Sequence, residues 1–186
     1  MKQKELDNII KKLMHLKEQP FNEIIRTGAM LSLGFGEKIK TQSAYKTNEG
    51  VFGVKETQKS KYAVHIDCLF RISYNDKILL TKEDMFRPST MMDDNNFNEE
   101  SFNWDMKGNN KFDAEITNIF DLSRQTPLVK SINVTSFGDL CIALSNGYAI
   151  EVLIDTNEEE ECWRIFEVGN IKAPHVVITG CGYYEE

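Results

Sequence analysis

The chain has 186 residues, 41% hydrophobic and 27% charged, a composition that excludes intrinsic disorder and fits one folded domain over residues 1–186. A formal net charge of -7 and a pI near 5.1 speak against phosphate-bearing partners such as nucleic acid. The opening MKQKELDNIIKK carries charges where a signal peptide needs an apolar run, and no stretch approaches the ~20 apolar residues that span a bilayer, so the reading is a cytoplasmic protein without a membrane segment.

The first predicted element is an amphipathic helix within residues 1–19. Leu6, Ile9, Ile10, Leu13 and Leu16 recur at helical spacing, and Pro20 stops it. Lys2, Lys4, Lys11, Lys12 and Lys17 alternate there with Glu5, Asp7 and Glu18, the pattern of a solvated face. Residues 27–37, TGAMLSLGFGE, alternate and hold three glycines, which predicts one strand with a bulge. Residues 38–61, rich in Thr, Asn, Lys and Gly, read as a loop. Residues 62–81 predict a hairpin: Val64, Ile66, Cys68, Phe70 and Ile72 alternate along one strand, Asn75-Asp76 turns, and Leu79 returns opposite Ile72.

Residues 93–111 are polar and acidic, interrupted by Phe97, Phe102 and Trp104, and read as a long surface excursion. Asp113 is the predicted cap of a short helix over 114–122, closed off by Pro127. A strand over 128–136 and a turn at Phe137-Gly138-Asp139 follow. Asn146-Gly147 reads as the two-residue turn of a hairpin pairing Leu144 with Ala149 and Ile142 with Glu151. In that register both faces are apolar, which puts this hairpin mid-sheet with the first helix over one side. Residues 163–168 and 175–179 supply the last predicted strands. The fold class is α+β: mainly antiparallel hairpins, an N-terminal amphipathic helix and one short additional helix.

Cys68, Cys141, Cys162 and Cys181 lie far apart without C-x-x-C spacing, so they read as structural thiols, not as a zinc or redox motif. The G-x-S-x-G, H-E-x-x-H and P-loop patterns do not occur, and Gly34-Phe35-Gly36 and Gly180-Cys181-Gly182 stand without a βαβ unit. Asp94, Asn96, Asn98 and Asp105 have the spacing of a calcium loop, but Glu99 fills the position that requires glycine. Neither a metal nor a cofactor is expected.

Two groups carry functional readings. His65, Asp67 and Arg71 share one face of the predicted strand, where they suit a general base, its orienting carboxylate and an anion clamp for a small substrate, with Asp84, Arg87 and Trp163-Arg164 as neighbours. An ion-paired outer face gives the same alignment. Glu99, Glu100 and Trp104, together with Glu158, Glu159, Glu160, Glu161 and Trp163, offer a negative surface with aromatic anchors, suited to an electropositive protein partner. With no catalytic motif in the chain, a non-enzymatic binding protein ranks first, a small enzyme second and a structural subunit with an exposed apolar patch third.

The succession SLGFGE (32–37), YAVHIDCLFRI (62–72), a D-x-F-x-P segment (84–88), FNWD (102–105) and GDLCIALSNGYAIEVLIDT (138–156) resembles a family of uncharacterised bacterial proteins without an established activity. The resemblance covers most of the chain past the first helix and departs from the family at Phe70, where Trp is common. It implies a bacterial setting and an immunity-like or accessory role.

Overall fold

Period-two alternation, apolar inward and polar outward, runs through several strands of the computed structural model, which describes residues 1–47, 50, 52–89 and 98–186. The described strands are β1 (Phe21–Thr27), β2 (Met30–Lys46), β3 (Phe52–Ile66), β4 (Leu69–Tyr74), β5 (Lys77–Thr81), β6 (Val129–Val134), β7 (Leu140–Leu144), β8 (Tyr148–Leu153), β9 (Glu161–Glu167), β10 (Val176–Thr179) and β11 (Gly182–Glu185). The helices are α1 (Gln3–Leu13) and α2 (Lys111–Ile119). The strands form a six-stranded sheet in the order β1-β2-β3-β9-β10-β11 and a five-stranded sheet in the order β5-β4-β8-β7-β6. Every pairing is antiparallel, so the architecture is α+β.

The inward faces of the two sheets share one core. Leu31, Val64, Ile66 and Trp163 of the first sheet and Phe70, Ile72, Ile142, Ile150 and Val152 of the second belong to the same buried cluster. Each such side chain contributes about 1.5–3 kcal/mol by leaving water. The sheets are stitched where β1 and β6 begin: Glu18 N–H donates to the Val129 carbonyl, Val129 N–H to Gln19 and Phe21 N–H to Pro127, each at 2.8–2.9 Å. Helix α1 sends Ile9 and Leu13 into the core, while Asn8 reaches Tyr183 of β11 and the N-terminal ammonium reaches the Ser136 carbonyl beyond β6.

Several local expectations are corrected. The α-helix ends at Leu13 and continues as a single 3-10 turn to Leu16, short of residue 19, before Glu18 adopts a left-handed φ of 63°. Residues 27–37 are not one strand: Gly28, with φ 59°, makes a two-residue turn that pairs Thr27 with Met30, so β1 precedes it. The expected bulge is present, between Phe35 and Lys38, where Gly36 has φ 85°. Asn110, not Asp113, caps α2; its side chain accepts the Asp113 N–H at 2.8 Å, which starts the helix earlier than residue 114.

Within the stretch 38–61, expected to be a loop, residues 38–46 and 52–61 are strand. Beyond the bulge β2 and β3 continue as a paired arm, from Lys38 opposite Ser60 to Lys46 opposite Phe52. Thr41 and Ser43 bond the Thr57 hydroxyl at 3.1 and 3.0 Å, Lys40 pairs with Glu56 at 3.0 Å, and Tyr45 lies over Gly53. A ladder with no buried face needs no apolar alternation, which is why the segment reads as unstructured. This stretch holds six lysines against two glutamates, so the basic clustering of the chain lies here as well as in α1.

The turn at Asn146-Gly147 is also different. Gly147 N–H bonds the Leu144 carbonyl at 3.1 Å and only Gly147, at φ 90°, is left-handed, giving a three-residue loop that pairs Ile142 with Ile150 and Cys141 with Glu151. The one-residue slip gathers Leu140, Ile142, Leu144, Ile150 and Val152 on the buried face and leaves Cys141, Ala143 and Glu151 half-buried outside. The strands are central in their sheet, as expected, but apolar on one face only. By contrast Asn75 and Asp76, at φ 47° and 61°, do form a two-residue turn; a bulge at Leu79 then sets Leu80 opposite Ile72.

Candidate functional site

The chain changes sheets at Asp67-Cys68. Strand β3 ends at Ile66 in the first sheet and β4 starts at Leu69 in the second, so residues 62–74 are two strands separated by a corner. The backbone N–H groups of Asp67 and Cys68 both donate to the Cys162 carbonyl, at 2.8 and 3.1 Å, which fixes that corner. His65 and Arg71 therefore stand on the outer faces of different sheets, and the constellation of His65, Asp67 and Arg71 is not assembled. Arg71 is engaged in a bidentate pair with Glu151 at 2.7 and 2.8 Å, which holds the Glu151 carboxyl below its ordinary range. Asp84 is structural too: it caps the turn after β5 through Thr81 N–H at 2.9 Å and pairs with Lys111 at 2.9 Å.

The register does bring Arg164 opposite His65. On this outer face His65 packs edge-on against Phe166 with ring centres 4.8 Å apart, and His175 stacks on the same ring at 4.4 Å. Arg164 holds Glu161 through a bidentate pair, approaches His175 Nδ1 at 3.2 Å and reaches Glu186 at 3.1 Å. Burial and then the Arg164 charge lower the pKa of His65, while burial and then Glu161 raise that of Asp67. His65 and Phe166 also wall a trough of about 300 Å³ floored by Ser32, Gly34 and Ala63. No room exists at Gly34 for a side chain, since a Cβ would lie 2.6 Å from Ser60 Oγ.

The acidic residues are divided between the two edges of the first sheet. Trp104 is half-buried against Phe102 beside β1, and its carbonyl accepts Arg26 Nη2 at 2.9 Å. Arg26 is itself buried and bidentate to Asp113. Glu100 is exposed; the side chain of Glu99 and residues Asp93, Asp94, Asn96 and Phe97 lie outside the described set. At the opposite edge, Glu158, Glu159 and Glu160 project from the loop between β8 and β9, whereas Glu161 lies in β9 on Arg164. Trp163 is no surface anchor: it is fully buried, with its indole N–H on the Gly138 carbonyl at 2.8 Å.

The aromatic groups beside the acidic loop are tyrosines instead. Glu159, Glu5, Thr179, Cys181, Tyr183 and Tyr184 line a cleft of about 540 Å³. The loop is tightly held: Glu158 N–H bonds Thr156 Oγ1 at 3.1 Å, Cys181 Sγ donates to the Asn157 carbonyl at 3.0 Å, and Gly180 passes so close that a Cβ would meet the Thr156 carbonyl oxygen at 2.3 Å. Strand β11, which supplies these tyrosines, is missing from the sequence reading; the alternation in GYYE is too short to register.

A second cleft, of about 710 Å³, runs between the C-terminal end of α2 and the β7–β8 loop, lined by Tyr74, Phe120, Tyr148, Asn118, Arg124 and Asn146. Tyr148 packs at tilted angles against Tyr74 and Phe120, with ring centres 4.7 and 5.0 Å apart, and Asn146 Oδ1 is buried without a hydrogen-bond partner among the described residues. The sequence places Tyr74 and Tyr148 in strands, Asn118 and Phe120 in the short helix and Asn146 in a turn, and gives no sign of their convergence. One group of side chains among the described residues can hold a cation: Cys68, Asp155 and Cys162, whose ligand atoms all lie within 4.8 Å of one another. No described helix is long and apolar enough to cross a membrane. Comparison with protein-family models, curated proteins and solved structures finds no match.

Proposed function

We propose that this protein is a non-enzymatic binding protein that docks an electropositive protein partner through the acidic edge formed by residues 158–160. The observation that carries the reading is the tightly held loop that exposes Glu158, Glu159 and Glu160 and sets Glu159 with Glu5, Tyr183 and Tyr184 in the lining of one cleft. A preorganised loop loses little entropy on docking, and tyrosines supply apolar contact where carboxylates supply orientation. The resemblance to bacterial proteins of unknown activity favours an immunity-like or accessory role within this class, with a cationic protein such as a nuclease toxin as the partner type. The separation of His65 from Arg71 weighs against an enzyme built on His65, Asp67 and Arg71.

The test is capture of a basic protein from the native host, followed by affinity measurement with wild type and with Glu158→Lys/Glu159→Lys/Glu160→Lys. The reversal is expected to weaken binding by about tenfold or more, with a similar loss as salt is raised. Failure to recover a partner, or affinity indifferent to both reversal and salt, overturns the reading.

A further inference from the structure

Strands β1–β3 lie in the first sheet, β4–β8 in the second and β9–β11 in the first again, so the chain crosses between sheets twice. Cys68 sits in the first crossing, Asp155 opens the second, and Cys162 lies just past its end in β9. We propose that these three residues form a binding site for one zinc-class divalent cation that clasps the two crossings together, with the fourth tetrahedral position open to water. The site uses none of Glu158, Glu159 and Glu160, although Asp155 lies in the same loop between β8 and β9.

Three observations carry the proposal. Tetrahedral zinc with bonds of about 2.3 Å to sulfur and 2.0–2.2 Å to oxygen sets its ligand atoms roughly 3.5–3.8 Å apart. Here they already lie within 4.8 Å, so rotamer adjustments suffice. The corner is preset, because the N–H groups of Asp67 and Cys68 share the Cys162 carbonyl and hold the two cysteines side by side. The donors are also selective: two thiolates and one carboxylate suit zinc and disfavour calcium or magnesium, which take oxygen ligands. Both cysteines are buried and Asp155 is exposed, which gives the ion an entry path and leaves the open position toward solvent.

Proton and charge balance are consistent with this chemistry. The thiolate is the ligating form of cysteine, so binding of one ion by Cys68 and Cys162 releases their two thiol protons to solvent. Two thiolates and a carboxylate around a divalent ion leave one excess negative charge. Lys82, whose ammonium donates to the Asp67 carbonyl next to Cys68, offsets it. The spacing rule that argued against zinc concerns ligands close in sequence; these come together only through the sheet crossings.

The experiment uses the full chain under reducing conditions, titrated with Zn²⁺ against a chromogenic chelator and with Co²⁺ for its thiolate charge-transfer and tetrahedral ligand-field bands. One ion per chain is expected, with a zinc-dependent rise in Tm. Asp155→Asn, an exposed change, should weaken binding by at least about tenfold. Cys162→Ser, checked for folding by circular dichroism, should diminish the charge-transfer band, and Cys181→Ser should leave both unchanged. The proposal is overturned by absence of stoichiometric uptake, by uptake insensitive to both Asp155→Asn and Cys162→Ser, or by uptake that follows Cys181. It is equally overturned if the reduced protein ignores zinc and mild oxidation instead joins Cys68 to Cys162.

Discussion

The outer faces of the two sheets differ in how their charged groups are held, although β3 and β4 are consecutive in the chain. On the first sheet His65 meets the Phe166 ring edge-on, His175 stacks on the same ring, and Arg164, held by Glu161 and Glu186, braces the group. On the second, Arg71 and Glu151 form one bidentate pair, with the arginine side chain 40% exposed. Stacked and half-desolvated groups perturb one another, whereas an exposed pair is screened by water. The contrast arises because the corner at Asp67-Cys68 sends two halves of one alternating stretch to opposite sides of a shared core.

The strongest way to break the contrast is to remove what lies under both faces. Trp163→Ala should cost about 3–5 kcal/mol, since it empties a fully buried site and frees the Gly138 carbonyl in the β6–β7 turn. Chemical denaturation should show a single transition at lower denaturant; two separated transitions would mean that the sheets unfold independently. Phe166→Ala strikes the first face alone and should cost about 2 kcal/mol, less than a fully buried phenylalanine because the ring is half-buried. The same variant exposes His65, so its NMR titration should move up toward the ordinary value.

Arg71→Ala tests the second face and should cost less than about 1 kcal/mol, with no effect on the His65 titration. A loss of several kcal/mol would show that this pair is as integrated as the Arg164 group. The smallest expected effect is a pH dependence. His65 is held below its ordinary 6.5 by burial and by Arg164, so the unfolded chain binds the proton more readily. Stability is therefore undiminished above about 6.5 and declines as pH falls from there toward the folded value. His65→Gln should flatten that slope. Glu151 acts in a separate window: its lowered pKa stabilises above the ordinary 4.5, and that contribution is lost only as pH falls through the folded value.

Much of the fold was legible because its signals are local. The helix stripe of Ile9, Leu13 and Leu16, the left-handed turn at Asn75-Asp76 and the central place of β7 and β8 follow from spacing and turn chemistry. Other features were hidden for separate physical reasons. The β2–β3 arm pairs polar residue with polar residue and buries little, so it lacks the alternation by which a strand is recognised. At Asn146-Gly147 the dipeptide marks a turn correctly, but whether two or three residues form the loop depends on which register buries Ile142 and Ile150 together. For the candidate site, Arg164 beside His65 was anticipated, whereas the tyrosines beside Glu159 were not.

Composition and pattern by themselves determined an antiparallel α+β protein with an acidic balance and the exposure of Glu158, Glu159 and Glu160, since these depend on each residue and its near neighbours. Tertiary structure alone decided which sheet each strand joins. That choice separated His65 from Arg71, seated Arg71 on Glu151, buried Trp163 and gathered Cys68, Asp155 and Cys162 at the crossings. The reason is geometric: alternation records which side of a strand a residue occupies but carries no information about a corner, and one corner at Asp67-Cys68 redirects every side chain that follows it.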